Sequence, residues 1–220
     1  MANNILPRGV IFDMDGVLVD SEEHICKAAC LMFEELGLMV HPEDFIPFVG
    51  MGENRYIGGV AEKYNLDVDI ETVKERTYDI YLEIIQGVLR PLPGVHEFIE
   101  KCKDTGNKIA VASSADRRKV VGNLKEIELP LTLFDAIVVA EDVVHKKPAP
   151  DIFLWAAEQL QLKPQDCLVV EDAISGVTAA KTAGSRCLAL TTSFSEHELN
   201  QADYWASDLS NAPDEVLNWS

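Results

Sequence analysis

Two aspartates, Asp13 and Asp15, directly follow the apolar run at residues 10–12, which is typical of a buried strand. Because they stand two residues apart at a strand end, their carboxylates project to the same side. Charges that close need a cation or a shared proton, and hard oxygen ligands suit Mg²⁺. One carboxylate can attack phosphorus while the other moves a proton. The alternative is a loop whose aspartates only cap a helix.

The rest of the chain predicts elements that would position these carboxylates. From residue 94 onward, helical patterns alternate with apolar runs at residues 108–113, 136–140, 166–171 and 186–190. This alternation predicts a parallel sheet covered by helices on both faces. Residues 21–90 show helical patterns only. We therefore predict a doubly wound, Rossmann-like α/β core (residues 1–20 and 91–220) with a helical cap (residues 21–90) inserted after the first strand.

Further polar residues lie where the other predicted strands end, or in the loops that follow them: Ser113, Ser114, Lys147, Glu171 and Asp172. Ligands of doubly wound folds bind beyond the carboxyl ends of the strands, so we expect these side chains to meet the two aspartates. Lys147 would neutralise a transferring phosphoryl group, Ser113 would bind its oxygens, and Asp172 would complete a metal site. Each also has an ordinary alternative, because Ser113 and Asp172 could cap helices and Lys147 could be a solvated lysine.

The charge of the chain limits its partners. It has 37 acidic and 19 basic residues and a formal net charge of −18, which repels nucleic acid and anionic membrane, so we expect neither as a partner. No signal peptide or membrane-spanning run is evident in the sequence. The five cysteines form no CxxC pair and favour buried thiols in a reducing compartment. We expect a cytoplasmic protein and favour a monomer.

Together these residues resemble the haloacid dehalogenase superfamily of phosphotransferases. Its four motifs occur in order as Asp13-Met14-Asp15-Gly16-Val17, Val111-Ala112-Ser113-Ser114, Lys147-Pro148-Ala149-Pro150-Asp151 and Val170-Glu171-Asp172 with Ser175-Gly176. The helical insert is similar to the family's small cap. The branch that looks closest contains the β-phosphoglucomutases and phosphoglycolate phosphatases.

The resemblance implies a role for each motif residue. Asp13 attacks phosphorus and forms an aspartyl-phosphate. Asp15 protonates the leaving alcohol, then activates water, and binds Mg²⁺ through its backbone carbonyl. Ser113 and Lys147 hold the phosphoryl oxygens. The metal ligands that the resemblance implies, counting Glu171 as a supporting residue, are Asp13, Asp15, Asp172 and Glu171.

Specificity is expected from cap loop 49–56, and the predicted substrate-binding residues are Gly50, Asn54, Arg55 and Ser114. The chain departs from the mutases at three cap positions. Ile25 stands where they usually carry a hinge histidine, Glu53 where they carry an arginine, and Glu83 where they carry a lysine. Acidic residues at a second phosphate site disfavour a bisphosphate intermediate, although Arg55 could still reach a substrate anion.

We therefore predict a Mg²⁺-dependent phosphoric monoester hydrolase that acts on a small phosphorylated metabolite through an aspartyl-phosphate. The alternative enzyme is a sugar-phosphate mutase similar to β-phosphoglucomutase. The alternative from another class is a metabolite-sensing member of the fold without turnover. A binding module has no need of both Asp13 and Asp15, which favours an enzyme.

Overall fold

The computed structural model describes residues 8–48 and 52–218. Its strands are β1 (Gly9–Phe12), β2 (Lys108–Ala112), β3 (Ala136–Val138), β4 (Cys167–Glu171), β5 (Arg186–Leu190) and β6 (Tyr204–Ala206). All pair in parallel, in the order β3-β2-β1-β4-β5-β6. The order reverses between β1 and β4, which is where a doubly wound sheet opens its ligand crevice. The predicted α/β fold is confirmed.

Helices cover both faces of this sheet. The core helices are α4 (Val95–Asp104), α5 (Arg117–Glu126), α6 (Asp151–Gln159) and α7 (Ile174–Ala183). Successive residues of β1 point to opposite faces, so that Val10 and Phe12 join the cluster with α4 and α5, whereas Ile11 joins the cluster with α6 and α7. Strands buried on both faces are apolar throughout, which is why the sequence revealed them. None of the helices in the described ranges has the length and apolarity needed to cross a membrane.

The cap consists of helices inserted after β1, as predicted: α1 (Glu22–Glu35), α2 (Glu53–Lys63) and α3 (Ile70–Ile85). Both α1 and α2 pack against α3, and one apolar cluster runs from these helices into the core. The two linkers between cap and core are hydrogen-bonded to each other, since the Leu92 N–H donates to the Leu18 carbonyl at 3.0 Å. That residues 21–90 form a domain separate from residues 1–20 and 91–220 stays a prediction.

Polar contacts fix the cap helix α3 over the core helix α5. Arg118 Nη1 lies 2.7 Å from Glu75 Oε2, and the Tyr81 hydroxyl donates to Asn123 Oδ1 at 2.5 Å. Lys74 Nζ, which is buried, lies 3.0 Å from Asp116 Oδ2. This seam holds the N-terminal half of α5 beneath the cap, beside the carboxyl ends of the strands.

Candidate active site

Asp13 lies directly after β1, at the carboxyl edge of the sheet. Its N–H donates to the Val170 carbonyl at 3.0 Å, which continues the pairing of β1 with β4. Its Oδ1 accepts a hydrogen bond of 2.5 Å from Lys147 Nζ. Burial raises the pKa of Asp13 well above its usual range; Lys147 opposes this rise, and the carboxylates of Glu171 and Asp172 add to it.

Lys147 reaches Asp13 from the loop before α6. Its Nζ donates to Asp13 Oδ1 and Glu171 Oε1, both at 2.5 Å, and its side chain is 7 % exposed. Burial acts to lower the pKa of Lys147, but the two carboxylates outweigh it and the pKa is raised. Lys147 is therefore a buried cation held between two acids, and not the solvated lysine that was its alternative.

Asp13, Glu171 and Asp172 form a buried acidic group in which one carboxylate oxygen of each lies within 4.8 Å of the others. Burial raises the pKa of Asp172 to about 7, Glu171 adds to the rise, and the Ser193 hydroxyl at 2.5 Å opposes it. Three carboxylates beside one ammonium leave an excess of negative charge. Because a divalent cation would neutralise it, this oxygen donor set fits a metal ion of the magnesium type.

Glu171 orients the others in this group. Its Oε1 accepts from Lys147, while its Oε2 accepts from the N–H groups of Asp172 and Ala173, each at 2.8 Å. A side chain at Gly176 would overlap the Glu171 carboxylate, so the glycine leaves room for it at the start of α7. Both oxygens of Glu171 are thus engaged by the protein, which fits the supporting role that the resemblance implies.

Asp15 points away from the acidic group and toward the cap. Its Oδ1 accepts a hydrogen bond from the Ser21 hydroxyl, and its Oδ2 accepts one of 2.9 Å from Lys119 Nζ. The carboxylate of Asp15 does not belong to the acidic group, and the metal contact that the resemblance implies for its backbone carbonyl stays a prediction.

These residues line one cavity of about 1150 Å³ between core and cap. Ser113 is buried after β2, where its hydroxyl accepts from the Ala115 N–H at 3.1 Å. From the core, the cavity is lined by Asp13, Asp15, Ser113, Ser114, Lys147 and Asp172. From the linker and cap, the lining includes Asp20, Glu22, Ile25, Phe48, Glu53 and Tyr56. The strand ends therefore meet at one cavity, although the predicted roles of their residues stay predictions.

The cap residues differ from expectation. Helix α2 begins at Glu53, which puts Glu53 and Tyr56 on the cavity face and turns the two residues between them away. Asn54 donates to Glu71 at 2.8 Å, and Arg55 pairs with Glu62 at 2.8 Å; both are exposed and neither lines the cavity. The charged residue that α2 presents to the cavity is Glu53, in place of the expected Arg55.

Gly50 and Glu83 are two other cap positions that the sequence analysis singled out. Gly50 lies outside the described residues. Glu83 is exposed on α3 and is not among the described lining residues, so the structure does not place it at a second phosphate site.

Sequence reasoning missed Lys119, a lysine of α5 whose side chain is 5 % exposed and lines the cavity. Burial acts to lower the pKa of Lys119, but the carboxylates of Asp15 and Glu53 outweigh it and the pKa is raised. In Arg117-Arg118-Lys119 the lysine looks like part of a solvated face. Its helical spacing from the buried Asn123 is the signal that places it on the inner face.

The doubly wound sheet, the helical cap and the acidic group define a capped hydrolase with a Rossmann-like core, of the kind that the sequence resembles. The chain belongs to the haloacid dehalogenase-like hydrolases, whose family model matches residues 10–190. The prediction of this family is confirmed.

Individual relatives agree with this assignment. The chain is 47 % identical to the Arabidopsis thaliana protein SUPPRESSOR OF QUENCHING 1, chloroplastic. The match covers 88 % of this chain but only 19 % of that much longer protein. It is 33 % identical to the phosphorylated carbohydrates phosphatase of Thermotoga maritima, over 80 % of this chain and 82 % of that one. The crystal structure of CbbY from Rhodobacter sphaeroides in complex with phosphate matches with a TM-score of 0.85 and 25 % identity, over 93 % and 96 % of the two chains. The predicted enzyme class, a phosphoric monoester hydrolase, is confirmed.

Gly16 gives a sharp test of the site's packing. Its φ is +76°, and a Cβ there would overlap Asp172 Oδ2. We expect Gly16→Ala to displace Asp172 and to lower phosphate release by about 10²-fold or more. The matched control is Gly37→Ala, because Gly37 has a φ of +79° and open space around the added Cβ. It should lose about 1 kcal/mol of stability and keep its activity. Equal activity in the two variants would contradict the close approach of Gly16 to Asp172.

Proposed function

We propose that this protein is a Mg²⁺-dependent phosphatase that hydrolyses a small phosphorylated metabolite through an aspartyl-phosphate on Asp13. The observation that carries the proposal is the 2.5 Å contact between Asp13 and Lys147 within a buried acidic group that lines the cavity. The name of the Thermotoga maritima relative supports phosphorylated sugars as the substrate class, and the phosphate in the CbbY crystal supports a site that binds phosphoryl groups. The cytoplasmic location and the monomeric state stay predictions.

The residues divide the reaction into two displacements. In the first, an Asp13 oxygen forms a bond to phosphorus while the bond to the leaving alcohol breaks, and Asp15 gives its proton to that alcohol. In the second, Asp15 takes a proton from water, whose oxygen bonds to phosphorus as the bond to Asp13 breaks and phosphate leaves. Lys147 and Ser113 hold the phosphoryl oxygens in line.

The metal and the cap complete this scheme. Asp13, Asp172 and the Asp15 carbonyl would hold Mg²⁺, which when bound neutralises charge on the phosphoryl oxygens. Asp15 must first leave Ser21 and Lys119, because its carboxylate is hydrogen-bonded to both in this structure. Cap residues line the cavity opposite the strand ends, so the reaction takes place beneath the cap.

The same geometry predicts hydrolysis over phosphoryl transfer to a second sugar. A mutase must hold a bisphosphate, and here Glu53 faces the cavity while Ile25 replaces the hinge histidine. Incubation with β-glucose 1-phosphate and a trace of glucose 1,6-bisphosphate in Mg²⁺, followed by ³¹P NMR, should yield inorganic phosphate at best. Rapid formation of glucose 6-phosphate with negligible phosphate release would establish the mutase instead. A phosphate-release screen over small phosphorylated metabolites with Mg²⁺ tests the phosphatase directly.

A further inference from the structure

The cap-facing half of the cavity carries more negative than positive charge. Its carboxylates are Asp20, Glu22 and Glu53, and its one ammonium group among the described lining residues is Lys119. The other lining lysine, Lys147, is engaged by Asp13 and Glu171. A second anion entering beside the phosphoryl group would therefore meet three carboxylates and one cation among the described residues.

The ammonium group of Lys119 already interacts with carboxylates of the protein. Lys119 Nζ donates to Asp15 Oδ2 at 2.9 Å, and it acts on Glu53 electrostatically, since Lys119 opposes the rise that burial causes in the pKa of Glu53. When Asp15 turns to the leaving oxygen, Lys119 still interacts electrostatically with Glu53. The two residues come from opposite sides of the cavity, Lys119 from core helix α5 and Glu53 from cap helix α2.

A carboxylate and an ammonium group differ in the hydrogen bonds that they can make with a ligand. The carboxylate of Glu53 only accepts hydrogen bonds and the ammonium of Lys119 only donates them, whereas a hydroxyl group does both. A second phosphate or a carboxylate offers Glu53 no donor and is repelled in a poorly screened cavity.

We infer that Glu53 selects a substrate whose leaving group is a hydroxyl-bearing alcohol without a second anionic group, as in a sugar or polyol monophosphate. This inference rests on the proposed phosphatase function and narrows its substrate class. Aromatic side chains of Phe48 and Tyr56 line the same half and can cover the C–H face of such a ligand. Glu53 is thus a specificity-determining residue that acts mainly by excluding anionic leaving groups.

The test uses substrates that differ in the negative charge of the leaving group: glucose 6-phosphate, glucose 1,6-bisphosphate and 6-phosphogluconate, with acetyl phosphate as a reference. The wild type should show the highest kcat/KM for glucose 6-phosphate, about tenfold or more above the two anionic analogues, a ratio equivalent to about 1.4 kcal/mol. Glu53→Gln should raise the kcat/KM of the two anionic analogues relative to glucose 6-phosphate by about tenfold. The matched control is Glu83→Gln, which makes the same change at an exposed cap residue and should leave the ratios as in the wild type.

Two results would overturn the inference: a wild type that hydrolyses either anionic analogue as fast as glucose 6-phosphate, or equal ratios in Glu53→Gln and Glu83→Gln. If acetyl phosphate is hydrolysed in these cases, the phosphatase proposal survives and the selectivity proposal fails. If the protein releases no phosphate from acetyl phosphate or any sugar phosphate with Mg²⁺ present, both fail.

Discussion

Replacing Asp13 by asparagine should lower phosphate release by roughly 10⁶-fold, the scale on which loss of a nucleophile acts. An amide cannot form the acyl phosphate. The fold should persist, because the Asp13 N–H still bonds Val170 and Lys147 keeps its contact with Glu171. Asp15→Asn keeps the nucleophile but loses the acid and base, and should lose about 10²–10⁴-fold.

The measurement is steady-state phosphate release by purified variants whose melting curves show one cooperative transition. Asp67→Asn makes the same chemical change at an exposed cap residue and should retain wild-type activity. Substantial turnover by Asp13→Asn, in a sample whose mass confirms the replacement, would rule out the aspartyl-phosphate mechanism.

Adding Mg²⁺ should raise the melting temperature, and more at pH 8 than at pH 5. Without metal, burial raises the pKa of Asp13, and that of Asp172 to about 7, above the ordinary 3.8 of the unfolded chain. The folded protein therefore binds more protons than the unfolded one between about pH 4 and pH 7, and its stability falls as the pH rises through this window. Mg²⁺ binds the deprotonated carboxylates of the folded state, so its stabilising effect grows over the same window.

At about 100 times its dissociation constant the ion contributes about 2.7 kcal/mol, which corresponds to a shift of roughly 5–10 °C for a chain of this size. Thermal unfolding is followed at both pH values in Mg²⁺, in chelator, and in NaCl at matched ionic strength. Asp172→Asn removes one carboxylate of the acidic group, so it should stabilise the metal-free protein at pH 8 and lose most of the Mg²⁺ shift. Equal shifts at the two pH values, or none, would contradict a metal site built on these residues.

Much of the core and the site could be predicted because parallel strands buried on both faces are continuously apolar and end at one edge. That places Asp13, Lys147 and Asp172 together without any knowledge of their side-chain contacts. Strand β6 could not be predicted, because the half-buried Tyr204–Ala206 lies at the sheet edge between Asp203 and Ser207 and is not part of a longer continuous apolar run.

Helix phase limited the prediction of the cap. An α-helix turns by about 100° per residue, so the role expected of Arg55 depends on where α2 begins, and its start at Glu53 reverses the charge shown to the cavity. Lys119 was missed because a run of three basic residues looks solvated until the cap is known to cover it. Whether a charged residue at the interface of cap and core is buried or solvated can be predicted only when the positions of both are known.

The hydrogen bonds that Glu171 accepts from Asp172 and Ala173 have a kinetic consequence. The backbone after β4 is fixed by a side chain that also binds Lys147, so this segment loses its conformational freedom when the chain folds and not when a ligand arrives. An ion or a phosphate group can then enter and leave without rearrangement of residues 171–173. Exchange between successive catalytic cycles therefore requires no refolding of this segment.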